Sequence, residues 1–477
     1  MNSLKFIKLS KLLARDRVHI SVSYFLVSVI LLNSIINIFN DKKLNFFLEI
    51  NFFDITSGLF LFTFLLNMGM LIKNSFKFDS ISISIVFYLF SFFVIDCLIL
   101  FFYKEFSFLE LVLVINIFWI FLILIKSKNI KGMVPAIISF VFLKTFVNLF
   151  KSRLTVNNNL IGDVNAVFYD QAKNIYENSY YYSINNFVFE GYPQFISYIQ
   201  SLFLGISSDV LSYNFFAYTS HIVFYLSILF FAELNISRLN KFFIISLFSL
   251  LIFNSHFLKL LISTSLMSEG LVNLFTAITT VAVLDNVSKH QRLDTKLFFI
   301  FGIMYFSKQF NSSLVIISLL ILLLITKLNK TVFIGFFGFI MKEMLYLFVF
   351  QDIDKDHHIK QMDVLDTVLD LILLRDLKIE NFILILKNLW IDKPIVILFF
   401  VFYFVFLYSK IIIKKFDLTS DLIFLIINLN IIFVFLLYIS VWRNMELESP
   451  IRYFLNYFQL IIISIFLEID KHKKHSK

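Results

Sequence analysis

Hydrophobic residues run along this chain in long blocks, separated by short polar breaks. A block of about 18 or more apolar residues is the length that crosses a bilayer as a helix. Candidate spans fall at 18–39, 54–73, 82–102, 107–125, 133–150, 210–231, 240–258, 262–284, 296–307, 311–327, 331–350, 393–413, 420–441 and 452–468. The pair 296–307 and 311–327 is short and reads as a broken or re-entrant helix around Lys308. Period-2 alternation is absent and there are only 10 Gly and 4 Pro, which argues against a membrane β-barrel. The pattern predicts an all-α polytopic membrane protein of 12–14 transmembrane helices.

Two polar interruptions stand out against these blocks. The strip Ile161–Leu204 packs acids, amides, a lysine and a run of tyrosines between apolar stretches. Polar chemistry at a membrane surface marks a functional region by default. The second interruption, 352–390, repeats apolar residues at Val364, Val368, Leu371 and Leu374 with acids between them. That spacing predicts an amphipathic helix lying on the membrane face.

Composition agrees with the blocks: 59% of residues are apolar, 16% are charged, and mean hydropathy is +0.85. The net charge of +9 does not point to nucleic acid, because the basic residues cluster at helix ends. There they act as topology determinants that stay in the cytoplasm. With the N-terminus inside, segments 74–81, 126–132, 232–239, 285–295, 328–330, 414–419 and the C-terminus fall inside. The large segments 151–209 and 351–392 then fall outside, and both termini are cytoplasmic in the inner (plasma) membrane. The single cysteine, Cys97, rules out a disulfide or a cysteine-based metal site within one chain. The basic N-terminus lacks a cleavable-signal pattern, so Val18–Phe39 reads as a retained first helix. Three regions result: an N-terminal bundle (1–132), a main transmembrane region (133–468) and a basic tail (469–477).

Asp163 is the first candidate for chemistry. A carboxylate just outside the membrane can take a proton from an acceptor hydroxyl or hold a divalent cation. The competing reading is a helix N-cap, since Asp163 precedes the helix-compatible run VNAVFYDQAKNIY. Tyr180, Tyr181 and Tyr182 can stack on a sugar ring or sit in the interfacial aromatic belt. His357 and His358 lie among Asp352, Asp354 and Asp356 without a recognisable metal spacing, and read as a solvated loop. Asp96, Lys144, Lys342 and Glu343 fall in or near spans, and Lys144 is one partner available to Asp96.

The segment GDVNAVFYDQAKNIY, followed by EGYPQFISYIQSLF, resembles the first external loop of GT-C-type integral-membrane glycosyltransferases. Asp163, Ala172 and Lys173 keep that loop's spacing, and Gly191, Tyr192 and Pro193 supply its second element. Gly162 stands where relatives often have Trp, and one Pro stands where many have two. SLMSEGLVNLF resembles the family's acidic helix start, with Glu269 as its acid. GIMYFSKQFNSSLVIISLLILLL resembles its lysine segment, with Lys308 as the base. ESPIRYFLNYFQLIII resembles the entry to its last helix, with Arg452 and Tyr453. The resemblance covers roughly 133–468.

That resemblance implies a GT-C-like fold and an inverting transferase. It would move a sugar from a polyprenyl-phosphate-linked donor to a glycan, lipid or protein acceptor on the external face. Asp163 would be the catalytic base or a cation-binding carboxylate, with a divalent cation as the only cofactor in view. Lys173, Tyr192, Glu269, Lys308, Arg452 and Tyr453 would bind substrate. Lys308 and Arg452 suit the donor phosphate, as a point charge and a bidentate fork respectively. A snorkelling lysine at a helix end and an interfacial arginine anchor are the structural alternatives. Two other classes compete: an O-antigen polymerase- or ligase-like enzyme, and a lipid or polysaccharide transporter. The long loops are poor in Arg, with only Arg153 and Arg375, and no repeated halves are visible.

Overall fold

The computed structural model describes residues 52–104, 106–127, 130–150, 170–186, 195–207, 215–253, 269–289, 293–307, 309–349, 422–423, 425–430, 459–464 and 466–467. Among these described residues 89% are helical and none lies in a strand. In chain order the helices are α1 (Phe52–Phe76), α2 (Ile81–Leu100), α3 (Phe108–Ser127), α4 (Ile130–Phe150), α5 (Asp170–Glu177), α6 (Tyr180–Asn186) and α7 (Phe195–Ser207). They continue as α8 (Phe215–Glu233), α9 (Arg238–Phe253), α10 (Glu269–Lys289), α11 (Thr295–Ile303), α12 (Gln309–Ile325), α13 (Lys330–Phe333) and α14 (Phe337–Phe348). Short 3-10 turns, Met304–Phe306 and Ile334–Phe336, extend α11 and join α13 to α14. The helices share one continuous apolar core, in which α1–α3 pack among those that follow.

Among the described residues four helical stretches are long and apolar enough to cross a membrane: Thr56–Phe76, Ile81–Leu100, Phe108–Lys126 and Gly270–Ser288. On α3 the residues Leu113, Ile117, Phe121 and Ile125 are exposed at helical spacing, an apolar face suited to lipid. The expected spans 18–39 and 393–413, and the expected surface helix within 352–390, lie outside the described residues. So does most of 420–441.

The helix ends explain the antiparallel order. Glu233, at the end of α8, accepts from the Ile81 and Ser82 backbone N–H groups at 2.5 and 2.9 Å. A carboxylate there satisfies two orphan donors and meets the positive end of the α2 dipole. Ser80 adds a side-chain cap to Ile83 N–H at 3.3 Å. Lysines do the converse: Lys296 donates to the Phe76 carbonyl at the end of α1, and Lys241 to Ala232 near the end of α8, both at 2.5 Å. The Lys126 ammonium lies 4.0 Å from the centre of the Phe76 ring. These contacts gather residues 74–81, 126, 232–239, 285–289 and 293–296 at one end of the bundle. A cleft of about 450 Å³ opens there, lined among others by Lys77, Asp79, Glu233, Asp285 and Asp294.

The opposite end holds α5 and α6. Phe108 N–H donates to the Asn178 carbonyl at 3.0 Å, and Lys104 lies over the Tyr181 ring at 5.2 Å. Within the bundle, Asn67 on α1 donates to the Pro135 carbonyl and the Ser139 hydroxyl on α4, at 3.3 and 3.2 Å. Gly302 on α11 meets Gly335 and Gly338 so closely that a methyl group at Gly302 or at Gly338 would collide with backbone. Small residues at such a crossing let helices approach in lipid, where packing replaces the hydrophobic drive.

Candidate functional site

The end that carries α5, α6 and α7 holds the polar strip singled out from the sequence. On α5 the pattern is sharp: Gln171, Ala172, Ile175 and Tyr176 are buried, while Asp170 is exposed and Lys173 half-buried. The helix is thus held by one face and shows its charges on the other. Partial burial raises the Asp170 carboxyl above its usual range, and the Lys173 ammonium pulls it back.

α7 turns out to belong to the core. Hydropathy reads 151–209 as one external segment, yet Phe195–Ser207 is buried along almost its whole length, against α2, α3, α5 and α8. One edge is aromatic: Phe195 packs on Phe90 and Phe93, and Tyr198 on Phe93, Phe108 and Tyr180. The other is polar. Ser197 donates to the Gln171 Oε1 at 2.7 Å, and Ser201 to the Ala172 carbonyl at 2.8 Å. Ser183 on α6 donates to the Gln171 carbonyl at 3.3 Å. These bonds fasten α6 to α5 and α5 to α7.

Residues that sequence reasoning passed over carry much of this arrangement. Gln171 and Gln200 are both fully buried, and the Gln171 Nε2 and both polar atoms of Gln200 make no hydrogen bond. Their signal was weak: two uncharged amides in a stretch whose tyrosines and acids drew the eye. Asp96 is buried within α2, beside Tyr198 of α7. The Lys144 ammonium lies 5.7 Å from the Phe140 ring centre. The Tyr198 hydroxyl donates to the Phe92 carbonyl at 3.1 Å.

Of the expected substrate-binding residues, Lys173 is described on α5, and Glu269 opens α10. Asp163, Tyr192, Lys308, Arg452 and Tyr453 lie outside the described residues. The elements flanking them have clear directions. α10 starts at Glu269, and Asp285 and Asn286 near its other end line the cleft. α11 starts at the cleft, where Asp294 caps it through Lys296 N–H at 3.0 Å. It extends to Phe306, whose ring packs on Phe93 at 4.9 Å, on the strip side. The segment 459–467 begins beside Asn273, with Gln459 N–H donating to its Oδ1 at 3.3 Å, and ends with Leu467 in the cleft. The broken pair expected around Lys308 matches α11 and α12, separated by the 3-10 turn and Ser307.

Among the described residues no group of three His, Cys, Asp or Glu side chains is placed to hold a metal ion. No family model matches this chain, no curated protein matches it, and no solved structure matches its fold.

Proposed function

We propose that this chain is a GT-C-like membrane glycosyltransferase. It would take a sugar from a polyprenyl-phosphate-linked donor and pass it to an acceptor at the external face of the inner membrane. The observation that carries the reading is direction. α10 begins, α11 finishes and 459–467 begins away from the cleft, on the side of the polar strip. The described elements that adjoin the four motifs therefore run to one end of the bundle, which supports the reading. The lysine-rich breaks meet at the other end, as cytoplasmic loops do.

In this reading Asp163 takes the proton of the acceptor hydroxyl while its oxygen attacks the anomeric carbon. The bond to the donor phosphate breaks, and the lipid phosphate leaves with its electron pair. Lys308 and Arg452 balance the phosphate charge, and Lys173, Tyr192, Glu269 and Tyr453 shape the surrounding pocket. The decisive variant is Asp163→Asn, which keeps size and capping ability but cannot take the proton. Membrane insertion and melting temperature should match the parent, while transfer from lipid-linked donor falls about a hundredfold or more. Parent-rate transfer by the folded variant removes Asp163 from the mechanism.

One observation favours a second reading, a transporter of a lipid-linked or free polar solute. Asn273, Thr276 and Thr280 form a buried polar line along α10, between the cleft and the strip. Gln459 joins it to α8 through Ser227 at 3.3 Å. Flux of a labelled polyprenyl-linked sugar across proteoliposomes, with no transfer to acceptor, would establish that reading over the first.

A further inference from the structure

The end of the bundle where the lysines gather is negative inside its cleft. Asp79, Glu233, Asp285 and Asp294 line that cleft, with Lys77 as the lining cation. Glu233 holds the first turn of α2, and Asp294 caps α11 and pairs with Lys296 at 3.2 Å. An ionised carboxylate offers about four acceptor positions, more than these contacts fill. The cleft also has room: its volume of about 450 Å³ falls within the roughly 300–1,000 Å³ of ordinary ligand sites.

Two further features say what kind of group belongs there. Asn286 is 5% exposed and lines the same cleft. Its Oδ1 accepts from the Asp294 N–H at 3.0 Å, and among the described residues its Nδ2 donates to nothing. A metal ion or a small ammonium would engage the carboxylates and leave that donor idle, whereas a carbonyl oxygen would take it. Phe78, Phe230 and Ile278 give the cleft an apolar wall. Such a wall suits a lysine, whose methylene stem lies along apolar surface while the ammonium reaches a carboxylate. Carboxylates, one amide donor and an apolar wall together fit a lysine-bearing peptide, with its ammonium, backbone carbonyl and aliphatic stem.

The chain supplies such a peptide at the cleft itself. Leu467 lines the cleft, and the residues that follow it, EIDKHKKHSK (468–477), carry four lysines. Lys471 stands four positions past Leu467, a reach of up to about 14 Å in extended chain. A tether that short holds its ligand at an effective concentration in the mM range, so weak individual contacts suffice. We propose that the acidic cleft is the docking site of this chain's own basic segment 468–477. Its lysines meet Asp79, Asp285 and their neighbours, and a backbone carbonyl takes the Asn286 amide. The proposal stands apart from the transferase reading, which places its chemistry at the other end of the bundle.

The test uses the full chain in lipid nanodiscs, in a Cys97→Ser background carrying Asn235→Cys in the cleft and His472→Cys in the tail. Mild oxidation should close a disulfide within one molecule. Changing Lys471, Lys473 and Lys474 to Gln should slow that closure about tenfold, the joint effect of a few partly exposed ion pairs. Asp79→Asn with Asp285→Asn should slow it similarly, and so should 1 M salt, where the Debye length falls to about 3 Å. The tail substitutions leave the cleft itself untouched, so a slower closure in them does not reflect a damaged fold. A closure rate indifferent to all three changes is that of a tether that merely happens to be near, and overturns the docking. Disulfides that form only between two molecules overturn it in favour of a second copy. Closure indifferent to the tail lysines, with calcium or spermidine raising the melting temperature only while Asp79 and Asp285 are present, overturns it in favour of a diffusible cation.

Discussion

Single side chains at helix ends hold much of this fold together. Glu233 is the clearest case, because one carboxylate closes the first turn of α2 from another helix. Its replacement by Ala would leave two backbone donors at the rim of the cleft without their partner. Caps of this type are worth about 0.5–2 kcal/mol. Glu233→Ala should therefore destabilise the purified protein by an amount in that range, read as a lower melting temperature. Glu233→Gln, which retains an acceptor oxygen, should recover part of the loss. A melting temperature unchanged in Glu233→Ala would show that water replaces the carboxylate at no cost. None of this was visible in the sequence, where Glu233 is an ordinary acid after an apolar block. Capping across 150 residues of chain is a tertiary fact. Asp96 was visible as a carboxylate within a span, but its neighbour Tyr198 lay in a segment that hydropathy had assigned to the outside.

At the scale of elements, the sequence is a good guide where apolar length decides. Ile81–Leu100 and Phe108–Ser127 coincide with expected spans to within about two residues, because a bilayer-length apolar run has few other options. The break between α11 and α12 was legible for a related reason, since both blocks are too short to cross alone. α7 was not legible. Its serines lower its hydropathy, yet Ser197 and Ser201 are buried because α5 supplies amide and carbonyl acceptors. The crossing of α11 with the Ile334–Phe336 turn and α14 was equally hidden, since a glycine announces close approach only when its neighbour is known. Gly302→Val should strain that crossing and cost about 1–3 kcal/mol, the usual scale of overpacking. Differential scanning calorimetry, or detergent-resistance half-life, would register it. The equivalent change at Gly205, where a methyl would find only ordinary contacts, should cost distinctly less.

For the whole molecule, the central claim is that the strip and the cleft occupy opposite faces. In a background lacking Cys97, a cysteine at the exposed Asn178 should react with a membrane-impermeant thiol reagent applied from outside. A cysteine at the exposed Asn235, beside the cleft, should react only after the membrane is opened. Both labelling from the same side would contradict the arrangement and the site reading with it. That the short basic breaks share one end of the bundle was legible from their charge. The residues at which the strip is fastened were not, because hydrogen bonds between α5, α6 and α7 follow from packing rather than from charge.

The pairing of α1 with α4 carries a consequence for how the chain is made. α1 has the lowest mean hydropathy of the four long apolar helices, 1.4, against 2.5 and 2.8 for α2 and α3. Its polar Asn67 finds its partners on a helix synthesised 68 residues later. At ordinary elongation rates of about 5–20 residues per second, that delay is roughly 3–14 s. During that interval α1 is the least lipid-soluble of the long helices and still lacks the neighbour that receives its amide. Assembly in the membrane is thus set by a wait: α1 is completed only when α4 arrives.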